Sequence, residues 1–202
     1  MEHDFKFVVP PRRIVVITAP SGAGKSTIVK KLVAQRADLA FSISCTTRPK
    51  REAEVDGKDY YFISVEDFKQ RIAKNDFIEY QEVYANQYYG TLKSEVERIW
   101  NNRKIALFDV DVKGADNIKK AYGNDALVIF IAPPDKDTLI RRLTNRNTES
   151  KDSLKKRIKK AEEEIAYQAI FEKVVINHDF DIAFMNVKNV ITNFLKQGAA
   201  AH

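Results

Sequence analysis

Near the start of the chain, glycines, a lysine and two hydroxyl side chains have the spacing of a phosphate-binding loop. The segment from Ala19 to Thr27 reads Ala-Pro-Ser-Gly-Ala-Gly-Lys-Ser-Thr and matches G-x-x-x-x-G-K-S/T, except that Ala19 replaces the first glycine. Glycines let successive backbone N–H groups turn toward one phosphate, and a following helix adds a partial positive charge. The pattern predicts that Lys25 contacts the β- and γ-phosphates of a donor nucleotide and that Ser26 ligates Mg²⁺. The predicted donor-binding residues are Ala19, Pro20, Ser21, Gly22, Ala23, Gly24, Lys25, Ser26 and Thr27.

A second segment carries arginines that suit the phosphate of an acceptor. It reads Ser-Cys-Thr-Thr-Arg-Pro-Lys-Arg from Ser44 to Arg51, and it leads through Glu54 to Tyr60. The guanidinium groups of Arg48 and Arg51 are planar forks, which match phosphate oxygens better than a lysine ammonium does. The alternative is a basic surface loop, which is the default reading of such a segment standing alone.

The elements that must position these motifs alternate between strand and helix. A β-branched run at Ile14–Thr18 precedes the glycine loop, and apolar residues with helical spacing follow it at Ile28–Val33. Buried apolar strands that alternate with helices favour a parallel sheet in an α/β fold, and shorter, more polar strands in the middle third favour an inserted lobe. Further strands are predicted at Phe41–Cys45, Tyr60–Ile63, Phe77–Val83, Ile105–Val110, Ala126–Ala132 and Val174–Asn177, and further helices at Ser64–Ile72, Leu92–Ile99, Asp137–Arg146, Leu154–Ile165 and Ile182–Leu195.

Composition limits the class of protein. The 202 residues include 34 Lys or Arg and 28 Asp or Glu, giving a net charge of +6, and 44% are hydrophobic, which excludes a disordered chain. The longest apolar run, Ala126–Pro134, is far shorter than the ~20 residues of a membrane helix. Cys45 is the only cysteine, so a disulfide framework and a cysteine-built metal site are excluded. We therefore expect a cytoplasmic protein of one domain.

Taken in order, the motifs resemble those of guanylate kinases. After the glycine loop and the segment Ser44–Arg51, the chain carries Glu54-Val-Asp-Gly-Lys-Asp-Tyr60, Phe77-Ile-Glu79-Tyr80, Tyr89-Gly-Thr91, Asp109-Val-Asp111-Val-Lys-Gly114, Ile131-Ala-Pro-Pro134 and Arg146-Asn-Thr-Glu149. Each motif is weak alone, but the ordered set is highly specific and spans about Ile14 to Phe194. The resemblance implies a P-loop kinase fold with a central, mainly parallel sheet flanked by helices, an inserted acceptor-binding lobe and a helical lid. It also implies transfer of the γ-phosphate of ATP to GMP, with Mg²⁺ as cofactor.

The resemblance assigns residues to GMP. Arginines matching Arg48 and Arg51 hold the GMP phosphate, and Glu79 reads the guanine edge. Guanine offers N1–H and an amino group as donors to a carboxylate, whereas adenine has no N1–H donor. An acidic pair after a central strand lies near the metal and the acceptor. The residues implied for GMP are Ser44, Arg48, Arg51, Glu54, Tyr60, Glu79, Tyr89, Thr91, Asp109 and Asp111.

The resemblance likewise assigns residues to ATP and divides the chain. Arginines matching Arg142, Arg146 and Arg157 clamp the ATP phosphates from the lid, and Asn177 lies near the adenine. Ser26 holds Mg²⁺, with Asp109 acting through water. The implied catalytic residues are Lys25, Arg51, Arg146 and Arg157. Residues 1–202 form one domain with a core at about 12–43, 91–140 and 165–197, a GMP-binding lobe at about 44–90 and a lid at about 141–164.

The chain departs from the family pattern at a few positions. Ala19 and Ala53 stand where the family usually has glycine, and Arg-Pro-Lys-Arg at 48–51 replaces the common Arg-x-Pro-Arg. The arginine spacing is kept, so we expect phosphate binding to survive. The stretch from Glu79 to Tyr89 is one residue longer than usual, which leaves Tyr88 as an alternative match for Tyr89.

Three other functions fit parts of the sequence less well. Guanylate-kinase-like domains of scaffold proteins bind phosphorylated peptides, but they typically lack an intact P-loop. A related P-loop kinase for another small phosphate ester is a second alternative, which Glu79 with Ser44 and Thr91 disfavours. The basic residues are spread over several helices, so neither nucleic acid nor a membrane is expected as a partner. The oligomeric state stays open, with a monomer favoured.

Overall fold

The computed structural model describes residues 12–144 and 151–199, and these contain nine strands and seven α-helices. The strands are β1 (Ile14–Thr18), β2 (Leu39–Phe41), β3 (Cys45–Thr46), β4 (Tyr61–Phe62), β5 (Phe77–Tyr84), β6 (Gln87–Leu92), β7 (Ile105–Asp109), β8 (Ala126–Ala132) and β9 (Lys173–Ile176). The helices are α1 (Lys25–Gln35), α2 (Val65–Ala73), α3 (Lys93–Asn101), α4 (Val112–Tyr122), α5 (Lys136–Thr144), α6 (Lys151–Ala166) and α7 (Phe180–Ala199).

A parallel sheet of five strands, in the order β2-β7-β1-β8-β9, forms the centre of the molecule. In β1 alternate side chains point to opposite faces, and both faces are buried. Val15 packs on the face covered by α1 and α7, while Val16 packs on the face covered by α3 and α4. A β-branched strand buried on both faces is typical of a parallel sheet covered by helices.

A smaller sheet of four strands, in the order β4-β3-β6-β5, stands beside the first. Helix α2 covers it, with Phe68 stacked on Phe77 at 4.3 Å between ring centroids and Cys45 buried in the same cluster. Burial raises the pKa of the Cys45 thiol to about 11. Strands β3, β4 and β5 lie within the predicted GMP-binding lobe at about 44–90, and β6 extends two residues beyond it to Leu92.

The chain crosses between the two sheets where a single strand is predicted. The predicted strand Phe41–Cys45 is wrong, because β2 ends at Phe41 in the first sheet and β3 begins at Cys45 in the second. Two further elements, β6 and α4, are absent from the sequence prediction. Helix α4 begins after Asp111, whose side chain accepts a hydrogen bond from the Gly114 N–H at 2.9 Å. The predicted end of α5 at Arg146 lies outside the described residues.

Helices α5 and α6 pack against each other and against the glycine loop. Leu139, Leu143 and Ala161 form their buried contact. A Cβ at Gly22 would lie 2.9 Å from Leu143 Cδ2, so these leucines pack closely on the loop. Within the described ranges, no helix has both the length and the apolar character needed to span a membrane.

Candidate active site

The glycine loop connects the buried end of β1 to the start of α1. Gly22 and Gly24 have φ angles of +91° and +94°, which residues other than glycine rarely adopt. A Cβ at Gly24 would also lie 2.5 Å from Asn177 Nδ2. Ala19 is 4% exposed and lies in the core beneath the loop, so the loop forms with alanine at that position.

Lys25, the first residue of α1, contacts the carboxylate of Asp109 at the end of β7. The parallel register pairs Ile17 with Asp109, so this carboxylate reaches the loop that follows β1. Burial lowers the pKa of Lys25 to about 8, and the negative charges of Asp111 and Glu164 oppose that fall. The ammonium thus lies among three acids, at the wall of a cavity of about 360 Å³ formed by the loop and α6.

The oxygen donors around this lysine fit a Mg²⁺ ion that is bound mainly through substrate. Ser26 follows Lys25 in the first turn of α1, and Asp109 contacts that lysine. Among residues 12–144 and 151–199, no group of three or more His, Cys, Asp or Glu side chains could hold a metal by itself. Mg²⁺ usually keeps several waters and takes only one or two protein ligands beside phosphates, so this sparse set is compatible with it.

Side chains of the predicted lid reach the same loop. Arg157 Nη2 donates to Ser21 Oγ at 3.2 Å. The Ser21 N–H donates to Glu164 Oε2 at 3.0 Å, a glutamate that no sequence motif predicts. Glu164 belongs to a run of three glutamates with no motif around it, so only the structure distinguishes it from the exposed Glu162 and Glu163. The predicted catalytic Arg146 lies outside the described residues.

Arg142 and Asn177, both predicted to bind ATP, are in contact with each other. Arg142 Nη2 donates to the Asn177 carbonyl at 3.1 Å, and Asn177 Nδ2 donates to the Ala23 carbonyl at 2.7 Å. Among the described residues, Arg142 Nη1 is buried without a hydrogen-bond partner. A buried guanidinium nitrogen in this state can still donate to a ligand.

Beside the smaller sheet, the side chains of Arg48, Glu54, Tyr60 and Tyr89 form a second cluster, which Arg51 joins through its backbone. Arg48 makes a bidentate contact with Glu54, at 2.7 Å and 2.5 Å, and donates to Tyr89 Oη at 3.2 Å. Its guanidinium carbon lies 5.1 Å from the Tyr60 ring centroid, and the Arg51 N–H donates to Glu54 at 2.9 Å. The guanidinium of Arg48 holds the pKa of Glu54 down to about 2.

Tyr88 and Tyr89, the two candidates for the same family position, have different surroundings. Tyr89 contacts Arg48, whereas Tyr88 stacks on Phe68 at 5.2 Å between ring centroids. The structure therefore places Tyr89 in the arginine cluster, whereas Tyr88 packs against the hydrophobic cluster of the smaller sheet. The strand register shifts between Glu82 and Tyr84, near the turn of the β5–β6 hairpin.

Ser44, Thr91 and Glu79 form a hydrogen-bonded chain next to this cluster. The hydroxyls of Ser44 and Thr91 are 3.0 Å apart, and Thr91 Oγ1 donates to Glu79 Oε1 at 2.9 Å. Glu79 is only 7% exposed, and burial raises its pKa to about 7 despite the Thr91 bonds that lower it. The three residues predicted to read guanine thus lie together.

Asp111 lies between the glycine loop and β5, where its negative charge acts on both Lys25 and Glu79. It caps α4, and the Gln81 amide of β5, turned with its nitrogen toward Asp111, donates to Asp111 Oδ1 at 3.0 Å. A cavity of about 620 Å³ lies here, lined by β5, the start of α4 and α6. This cavity shares Tyr84, Asp111 and Glu164 with the cavity beside the glycine loop, so the two cavities adjoin.

Comparison with known proteins gives consistent matches. A family model described as guanylate kinase matches residues 11–194. The guanylate kinase of Porphyromonas gingivalis is 47% identical over 184 residues, covering 91% of this chain and 98% of the relative, and that of Bacteroides fragilis is 48% identical over 183 residues, covering 91% and 90%. The crystal structure of guanylate kinase from Anaplasma phagocytophilum superposes with a TM-score of 0.74 at 26% identity, covering 94% of this chain and 89% of that chain.

Proposed function

Since the chain belongs to the guanylate kinase family and transfers the γ-phosphate of ATP to GMP, we propose that its two clusters divide this reaction between donor and acceptor. The observation that carries the proposal is the buried carboxylate of Glu79, held by Thr91 at 2.9 Å and followed by Ser44. A carboxylate can accept hydrogen bonds from guanine N1–H and from the 2-amino group. Glu79 therefore selects guanine, and Ser44 and Thr91 complete the contacts to the base.

Arg48, Arg51, Tyr60 and Tyr89 bind the GMP phosphate. Glu54 is itself an anion, so it does not bind this phosphate directly. Its bidentate contact fixes the orientation of Arg48, and its bond to the Arg51 N–H fixes the backbone beside it. A guanidinium held in this way loses little freedom when a phosphate binds.

The residues from Ala19 to Thr27 form the ATP-binding loop, in which the N–H groups of residues 22–27 and the ammonium of Lys25 bind the phosphates. Arg142 and Asn177 lie beside the loop toward the adenine, and the unpartnered Nη1 of Arg142 supports a role in ATP binding. Ser26, and Asp109 through water, would hold Mg²⁺, which supplies neutralisation of the phosphate charge when it is bound. Arg146 and Arg157 contact the transferred phosphoryl group from the lid.

The chemistry consists of positioning and charge neutralisation. The acceptor is the phosphate of GMP, which is already anionic, so no strong general base is needed. Lys25 and the arginines stabilise the charge that spreads over the phosphoryl oxygens in the transition state. Closure of the lid and of the acceptor lobe excludes water, which would otherwise accept the phosphoryl group and hydrolyse ATP.

The alternative of a phosphopeptide-binding module is not favoured. The loop carries Gly24, Lys25 and Ser26, and Lys25 contacts Asp109 beside it. The relatives with the matches given above are named guanylate kinases. A monomer and a cytoplasmic location complete the proposal, the latter because ATP and GMP are metabolites of the cell interior.

Substitution of Glu79 tests the proposal most directly. In Glu79→Gln the amide offers one acceptor and an unwanted donor to guanine, so we expect kcat/KM for GMP to fall sharply and the preference for GMP over AMP to narrow. A site built to hydrogen-bond its substrate can favour it over an analogue by ~10⁴ or more in kcat/KM, which is far more than complementary shape alone provides. Steady-state kinetics with GMP and AMP measure the ratio, and Glu82→Gln on the same strand is the matched control. An unchanged GMP-to-AMP ratio would mean that guanine is read elsewhere.

A further inference from the structure

Helix α6 contacts the glycine loop through two side chains that meet the same residue. Arg157 donates to the hydroxyl of Ser21 at 3.2 Å, and the backbone N–H of Ser21 donates to Glu164 at 3.0 Å. Positions 157 and 164 are about two helical turns apart, so both side chains leave the same face of α6. Ser21 therefore joins the two ends of one rigid helical segment.

Apolar packing midway between Arg157 and Glu164 also holds this segment of α6 against the loop. Ala161 lies between them in sequence, is fully buried and packs with Leu139 and Leu143. Those leucines in turn contact the loop at Gly22. Apolar contact at Gly22 and polar contact at Ser21 thus act on neighbouring residues of the loop.

Glu164 differs from the acids beside it. It is 7% exposed, whereas Glu162 and Glu163 are exposed. A buried carboxylate is unfavourable unless it is paired or hydrogen-bonded. Burial raises its pKa, while the Ser21 N–H and the charges of Lys160, 3.8 Å away, and Lys25 favour the ionised form. An acid kept in such a place has a specific contact to maintain, and the contact that the structure shows is Ser21.

We propose that Glu164 is a positioning residue that fixes α6 on the phosphate-binding loop and so holds the Arg157 guanidinium at the phosphates of ATP. The inference rests on the proposed role of Arg157 in the donor site. Because the helix is rigid over two turns, an anchor at position 164 determines where position 157 lies. A shift of about 1 Å in a catalytic group can lower a rate about 100-fold, so a secure anchor matters for turnover.

Three substitutions separate hydrogen bonding from charge at this position. Glu164→Gln keeps an acceptor oxygen at the same reach and loses the charge, Glu164→Asp keeps the charge and loses the reach, and Glu164→Ala loses both. We expect kcat to fall about 10- to 100-fold in the Ala and Asp variants and to stay within about threefold of the parent in the Gln variant. KM for GMP stays at the parent value in all three, and Glu163→Ala on the exposed side of the same helix is the matched control.

A double variant tests whether Glu164 acts through Arg157. Arg157→Ala lowers kcat, and we expect Glu164→Ala combined with Arg157→Ala to be no slower than Arg157→Ala alone, because the anchor then has nothing to position. Losses that multiply in the double variant would overturn the inference, and so would a Gln variant as slow as the Ala variant. Parent-like turnover of Arg157→Ala would instead overturn the proposed role of Arg157.

Thermal unfolding of each variant separates positioning from folding. A merely structural role would lower kcat only in proportion to the unfolded fraction at the assay temperature, and that result would overturn the inference. If Glu164→Ala does not fold, the comparison of the Gln and Asp variants decides. The inference then stands on a fast Gln variant and a slow Asp variant, and any other pattern contradicts it.

Discussion

At the scale of single residues, the site is built from charged groups held away from water. Lys25 has a lowered pKa and Glu79 a raised one, and burial is the first cause in both cases. The protein thus keeps charged groups in surroundings that disfavour their charge. Such groups interact more strongly with a charged substrate than they would in water, because the local dielectric constant is low.

Lys25 is the residue whose loss should be most costly to turnover. We expect Lys25→Ala to fold and to lose kcat by about 100- to 1000-fold, because one preorganised electrostatic contact in a transition state is worth ~2.7–4 kcal/mol. Steady-state assay of ADP formation measures the loss. Lys31→Ala removes a half-buried lysine of the same helix α1 that pairs with Asp181 of α7, and its turnover should stay near that of the parent. Parent-like turnover of the Lys25 variant would remove the basis for the P-loop assignment.

Burial of Glu79 also affects folding, with a sign set by its raised pKa of about 7 against an ordinary 4.5. The folded protein binds this proton more tightly than the unfolded chain, so the folded state loses stability as pH rises from about 4.5 to 7. We expect the free energy of unfolding of Glu79→Gln to exceed that of the parent by up to about 3 kcal/mol at pH 8. Near pH 4.5 the two free energies of unfolding should be nearly equal. Urea denaturation at the two pH values tests this, and a difference independent of pH would contradict it.

At the scale of elements, the glycine loop depends on two backbone conformations that alanine resists. Gly24→Ala adds left-handed strain of about 1–2 kcal/mol and a clash with Asn177. We expect a lower melting temperature and at least a tenfold loss in kcat/KM for ATP. Gly123→Ala is the control, because it has φ +51° and nothing within 4 Å of its Cβ. It should share the loss of stability and keep the kinetics for ATP, and equal kinetics in both variants would contradict a special role for the loop.

Sequence patterns predicted the elements whose signals are local. The start of α2 at Ser64 is confirmed, since its hydroxyl accepts from the Asp67 N–H at 3.0 Å, and the α/β fold with a central parallel sheet is confirmed. Helix α4 was missed because Gly114 and several charged residues interrupt its apolar spacing. Strand β6 was missed because Gly90 weakens a short polar strand, although Gly90 packs under Tyr80.

The candidate site shows the same division between local and long-range signals. The motif residues Ser44, Glu79 and Thr91 were found from sequence, and the structure places them in contact, while their roles stay predictions. Glu164 could not be found, because a glutamate in a charged helix has the same local sequence whether it faces solvent or Ser21. Only the packing of α6 on the loop, which joins residues far apart in sequence, distinguishes these cases.

At the scale of the whole molecule, the glycine loop follows a strand of the larger sheet and the arginine cluster lies beside the smaller sheet, so donor and acceptor functions should separate in kinetics. Arg51→Lys removes the bidentate fork on the acceptor side, and we expect KM for GMP to rise at least tenfold while KM for ATP changes little. Arg157→Lys should affect ATP and leave KM for GMP unchanged. Arg103→Lys, an exposed arginine outside both clusters, is the control. An Arg51 variant that alters ATP kinetics alone would contradict the division.

Charge acts at this scale too. The net charge of +6 attracts the polyanions ATP and GMP before they make any specific contact. That attraction is screened by salt, with a Debye length of about 8 Å at physiological ionic strength. It therefore affects association rates more than the selection of guanine, which depends on the short contacts around Glu79.

The reactivity of the buried Cys45 thiol reports on the opening of the smaller sheet. It is the only cysteine of the chain, it is 1% exposed, and it follows directly after Ser44. A thiol reagent can reach it only when the smaller sheet opens, so the labelling rate measures how often that opening occurs. Bound GMP would slow the labelling by holding the sheet together, and bound ATP would leave it nearly unchanged. The chain thus carries a native probe that follows acceptor binding without any added fluorophore.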